Sequence, residues 1–116
     1  AIIIATGSEV SISVTAAEQL KSKGLNIRVI SMPCQEAYER QTLAYKNKCI
    51  PKNFDNILAV ESGIGDSWHK FVGKKGAIIS MESFGLSGTG SDVMSHFGFS
   101  VSNIKKNINK LIKKNR

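Results

Sequence analysis

Cysteine is scarce in this 116-residue chain: Cys34 and Cys49 stand alone and far apart, with no C-x-x-C and no neighbouring histidine. That spacing argues against a zinc knuckle or a redox pair and leaves two free, reduced thiols as the reading. Long apolar runs are missing too. "AIII" and "AII" are far too short to cross a bilayer, and no basic, apolar, small-residue leader opens the chain. The expectation is therefore a soluble intracellular protein. No initiator Met is present, and Ala1 already falls within a strand pattern, so the chain is expected to begin partway through a longer protein. Acidic residues are absent after Asp92. The formal charge of +7 consequently resides almost wholly on Lys105, Lys106, Lys110, Lys113, Lys114 and Arg116. Basicity confined to one tail is weak support for nucleic-acid binding, and no aromatic residues interleave with these cations.

What is present suits one domain spanning residues 1–116, with 41% hydrophobic and 22% charged residues. "AIIIA" is a short β-branched run bounded by Gly7, as in a strand covered on both faces. From Ser8 to Lys23, Val10, Val14, Ala17 and Leu20 recur at helical spacing, and Gly24 follows as a left-handed cap. "LNIRVIS" reads as a second strand stopped by Pro33, and "QEAYERQTLAYKNKCIP" as two short helices ending before Pro51. "NILAVES" and "GAIISM" are further strands, separated by the short helix "DSWHKFVG", which Gly73 closes. A glycine-rich loop, "SFGLSGTG", leads to a helix over "SDVMSHFG" and a final helix over "SNIKKNINKLIKKN". Strands alternating with helices imply right-handed crossovers and a mainly parallel sheet, an α/β three-layer α/β/α sandwich.

Thr-Gly-Ser-acid-Val occurs twice, in "ATGSEV" and "GTGSDV", each time where a strand-derived loop meets a helix. That is where a Rossmann-type fold binds anions. A dinucleotide fingerprint needs a third glycine, yet Trp68 follows Gly63-Ile64-Gly65 and Val93 follows Gly88-Thr89-Gly90 at that place. Gly73-Lys74 is followed by Lys75 rather than the Ser or Thr of a P-loop. Thr6 with Glu9, and Thr89 with Asp92, have instead the spacing of a capping box, in which hydroxyl and carboxylate satisfy free backbone N–H groups. An acid held against a helix start would also repel a phosphate. Capping is the preferred reading, under which Thr6→Ala costs about 1 kcal/mol.

Other chemistry is thinner. Gly85-Leu86-Ser87-Gly88 lacks the last glycine of a nucleophile elbow, since Thr89 stands there. Nothing in the sequence joins Cys34 to His69 or His96, so a buried thiol and surface imidazoles are expected. Glu61 and Asp66 lie at the carboxyl end of the third strand, where open α/β sheets place function. Acid/base work by that pair is possible chemistry, but a capping role for Asp66 explains it more simply. The last helix places Ile104, Ile108, Leu111 and Ile112 on one face and lysines on the other. Packing of that stripe on the sheet is preferred over a membrane-surface role.

In order and without large gaps, "ATGSEV", "IRVISMPCQEAYERQ", "VESGIGDSWHKFVG" and "SFGLSGTG…HFGFS" resemble the C-terminal domain of transketolase. The resemblance covers essentially the whole chain. It implies a three-layer α/β/α domain with a mixed five-stranded sheet, whose one antiparallel strand would fall upstream of Ala1. Four parallel strands would remain, with an unpaired apolar edge and a tendency to associate. For the parent enzyme it implies transfer of a two-carbon ketol unit from a ketose phosphate to an aldose phosphate in the pentose phosphate pathway. Thiamine diphosphate and Mg or Ca would serve a cytoplasmic homodimer. The family's cofactor and substrate residues lie in the two preceding domains, so the resemblance assigns this segment no catalytic, cofactor-binding or metal residue. His69 and His96 match none of the family's catalytic histidines. Leu86, Ser87, Gly88 and Thr89 depart from the family's usual loop, which ends in Pro, and the helix start there is correspondingly less fixed. An accessory domain that supports the dimer and the adjoining domain is the leading expectation, with neither nucleic acid nor membrane as partner. Its rivals are a stand-alone anion- or nucleotide-binding module using the strand ends near Thr6, Glu61 and Gly63, and the terminal domain of a different thiamine-diphosphate enzyme.

Overall fold

The computed structural model describes residues 1–7, 9–61, 66–80 and 99–115, with the backbone alone at Asp66. The glycine-rich loop expected at 83–90 and the helix expected at 91–98, with Thr89, Asp92 and His96, lie outside them.

Four strands, β1 (Ile2–Ala5), β2 (Arg28–Ser31), β3 (Ile57–Glu61) and β4 (Ala77–Ser80), form one sheet in the order β2-β1-β3-β4, every pair parallel. β1 and β3 are central and buried along almost their whole length, which is why both are continuous apolar runs rather than alternating ones. In register, Ile3 stands between Val29 and Leu58, and Ala5 between Ser31 and Val60.

Alternation along the strands divides the interior into two cores. Ile3, Ala5, Leu58, Val60 and Ile79 face one side, where α1 (Glu9–Lys21) and the last helix, α5 (Val101–Lys114), cover them. Ile2, Ile4, Ile57 and Ala59 face the other side and meet Met32, Trp68 and Val72. The second cover consists of α2 (Gln35–Glu39), α3 (Leu43–Cys49) and a 3-10 turn (Asp66–Trp68) running into α4 (His69–Val72). The three layers are those expected from the sequence.

Gly24 closes α1 as anticipated. With φ +91° it lets its own N–H reach the Lys21 carbonyl (2.9 Å) and the Leu25 N–H reach Leu20 (3.2 Å), a Schellman closure. Gly73, φ +71°, similarly ends α4. The buried face of α1 differs from the expected stripe: Ser13, Ala16, Ala17 and Leu20 are buried, whereas Val14 is 40% exposed. Small side chains occupy the face of α1 toward the sheet and α5, and Ser13 satisfies its hydroxyl on the Glu9 carbonyl at 2.7 Å. The stripe of α5 is as read, with Ile104, Ile108 and Leu111 buried and Ile112 partly buried against them. Ser100 caps this helix by accepting the Asn103 N–H at 3.1 Å.

Candidate functional site

β2 and β3 follow one another in sequence but flank β1 on opposite sides, so the strand order reverses direction between β1 and β3. The carboxyl ends of those two strands are the place where an open α/β sheet offers a crevice. Thr6, immediately after β1, and Glu61, the last residue of β3, meet there.

The Thr6 hydroxyl donates to Glu61 Oε2 at 3.1 Å, and the Trp68 indole N–H donates to Glu61 Oε1 at 3.2 Å. One carboxylate thus ties β1, β3 and the 3-10 turn together. Trp68 is only 2% exposed and packs against Phe71, whose ring in turn meets Tyr38 edge-on at 5.7 Å. A buried indole requires a hydrogen-bond acceptor, and Glu61 supplies it.

The expected capping box at Thr6 is corrected by this arrangement. Its hydroxyl proton goes to Glu61, and the Glu9 N–H is taken by the Thr6 backbone carbonyl at 3.1 Å. The cause is tertiary: β1–β3 pairing sets Ala5 opposite Val60 and so brings Glu61 beside Thr6. Glu9 nevertheless lies in the first turn of α1, 2% exposed, with its carboxylate near Gly7. Two carboxylates, Glu9 and Glu61, therefore stand at this end of the sheet, and both disfavour a phosphate there.

The remaining candidates are dispersed. Gly63 lies outside the described residues, and Asp66 opens the 3-10 turn. His69 is exposed on α4, and no hydrogen bond links it to Cys34. Cys34 itself is exposed, not buried as expected, at the N-cap position of α2, which buries none of its own residues. Cys49 is half-buried. Both thiols border one cavity of about 210 Å³ beside Met32, Tyr38 and Tyr45, a convergence that their separation in sequence concealed. Sequence reasoning also missed Trp68. As the chain's single tryptophan, seven residues after a strand-ending glutamate, it carried a signal in its need for an acceptor.

Residues 1–100 match the family model described as the transketolase-like TK C-terminal domain. The chain belongs to the transketolase family. It is 42% identical over 111 residues to transketolase 1 of Vibrio vulnificus (strain YJ016), covering 96% of this chain and 17% of that one. Transketolase 1 of Escherichia coli (strain K12) is 45% identical over 103 residues, 89% of this chain and 16% of the relative. Among solved structures, transketolase from Leishmania mexicana superposes with a TM-score of 0.88 at 34% identity, over 97% of this chain and 16% of that one. The chain thus corresponds to a transketolase C-terminal domain and spans about 17% of the length of its curated relatives.

The described residues do not fit the cofactor that the family resemblance implies for the parent enzyme. No group of three or more His, Cys, Asp or Glu among them is placed to hold a metal ion. The carboxylate at the switch point is committed to a hydroxyl and an indole, donors that brace the fold.

Proposed function

We propose that this chain is the accessory C-terminal domain of a cytoplasmic, homodimeric transketolase. The parent enzyme would move a two-carbon ketol unit between a ketose phosphate and an aldose phosphate with thiamine diphosphate and Mg or Ca held by its preceding domains. On this reading the segment contributes domain and dimer packing and no catalytic residue. The observation that carries the reading is Glu61. The carboxylate best placed for chemistry, at the switch point of the sheet, spends both oxygens on Thr6 and Trp68.

The test is Glu61→Ala in the full-length enzyme. Loss of two hydrogen bonds to a charged acceptor should destabilise the domain by about 2 kcal/mol, visible as a lower Tm, while kcat for ketol transfer stays within about twofold. Turnover abolished at unchanged Tm and unchanged thiamine diphosphate affinity would refute the accessory role.

A further inference from the structure

The opposite end of the sheet, where β3 and β4 begin, carries a groove of about 420 Å³ between the α3–β3 connection and the turn joining α4 to β4. Its charge is the reverse of that at Glu61. Lys52, Lys70, Lys74 and Lys75 border it, and among the described residues Asp55 is the only carboxylate in its wall. Lys70 is paired with Glu39 at 2.6 Å, and Lys75 lies 3.7 Å from Asp55, a loose contact. Lys52 and Lys74 have no ion pair among the described residues. Asn115 donates to the Lys75 carbonyl at 3.1 Å, which ties the last turn of α5, with exposed Lys113 and Lys114, to the same end of the molecule.

The backbone supports this presentation of cations. Asn53, φ +66°, follows Lys52, and Gly73, φ +71°, precedes Lys74, so a residue with positive φ stands next to each of these lysines. Asn and Gly are the residues that accept this conformation at least cost. Phe54, 37% exposed, adds an apolar surface to the same wall. The volume falls within the range of small-molecule sites, a few hundred Å³, and the lining combines charge with an aromatic face.

We propose that this groove binds a small organic phosphate carrying two or more phosphate charges, with Lys52 and Lys74 holding the phosphates and Phe54 supporting the uncharged part. The site is independent of ketol transfer and lies at the far end of the strands from the Thr6–Glu61 contact.

Calorimetric titration of the full chain with inorganic pyrophosphate at moderate salt, about 0.15 M, tests the anion site. Saturable binding is expected. The exposed pair Lys52→Glu/Lys74→Glu should weaken it by about tenfold or more, as expected when charge-assisted contacts are reversed. The control Lys106→Glu/Lys110→Glu makes the same charge change on the solvent face of α5 and should alter affinity by less than about twofold at moderate salt, since separated surface charges are screened. Absence of binding, or equal weakening by both pairs, overturns the proposal, the latter because it would report net charge rather than a site. Adenosine diphosphate and a sugar bisphosphate then distinguish the carrier. Phe54→Ala should weaken whichever of the two rests its neutral part on the ring, and the Phe54 contact is overturned if neither responds.

Discussion

Two helical covers lie over the two faces of one sheet, and they are held by different forces. α5 inserts Ile104, Ile108 and Leu111 into the core below it. α2 and α3 bury none of their residues, and Leu43 is 71% exposed. Polar bonds hold the α2–α3 part of the second cover, whose buried apolar contacts come instead from Trp68 and Val72. Tyr38 donates its hydroxyl to the Lys46 carbonyl at 3.1 Å, Arg28 reaches the Lys48 and Cys49 carbonyls at 2.9 Å each, and Thr42 caps α3 by accepting the Tyr45 N–H at 3.1 Å. Strand position explains the difference. α5 crosses the central strands, which offer a continuous apolar floor, whereas α2 and α3 flank β2, an end strand of the described sheet with exposed Arg28 and Ser31. Burying one aliphatic side chain fully is worth about 1.5–3 kcal/mol, against about 1 for an ordinary hydrogen bond, so the two covers should respond very differently to single substitutions.

Ile108→Ala should cost about 2–5 kcal/mol, the largest effect expected, measured as a shift in the urea midpoint. Gly76→Ala should cost about 3 kcal/mol, because a Cβ there would lie 2.3 Å from the Val72 carbonyl oxygen and 2.7 Å from that of Ile57. A neutral result at Gly76 would mean that the α4–β4 turn yields and is as soft as α2 and α3, not as rigid as the buried Val72 beside it. Thr42→Ala, removing a cap, should cost about 1 kcal/mol. Leu43→Ala should stay within about 0.5 kcal/mol, and a cost matching that of Ile108→Ala would erase the contrast. Tyr38 sharpens the comparison through pH. Burial, then the neighbouring Cys49 and Tyr45, raises its phenol above the ordinary value of 10.0. The folded state therefore holds this proton more tightly than the unfolded one. The resulting stability is fully present below pH 10.0 and declines as pH rises toward the raised value. Tyr38→Phe should flatten that alkaline decline, seen in urea midpoints compared at about pH 9 and about pH 11.

Features written into neighbouring residues were legible before the fold was known. The "SKG" closure of α1, the proline stop after β2 and the apolar spacing of α5 each depend on local geometry, and each stands in the structure as read. Features created by register were not. Thr6 and Glu61 are 55 positions apart and meet because β1 pairs with β3. Until that pairing exists, the acid three residues on is the natural partner for Thr6. Val14 misled for a related reason: a ranking by hydrophobicity selects it, but the face of α1 that enters the core had to be small, and Ser13 and Ala16 took it. Cys34 and Cys49 converge because the two short helices fold back beside β2, an arrangement no spacing rule encodes. The lysines of the groove come from the α3–β3 connection and from α4 with its following turn, and only the sheet brings them to one end.

The seating of α5 on α1 also governs how the chain acquires its shape. Gln19 and Lys105 touch across 86 positions of sequence, and among the described residues Phe99 and the final helix complete the aliphatic core around β1 and α1. As this domain is made, an oily trough on β1 and α1 therefore stays uncovered until the final helix emerges, and closure waits on contacts distant in sequence that are slow to form.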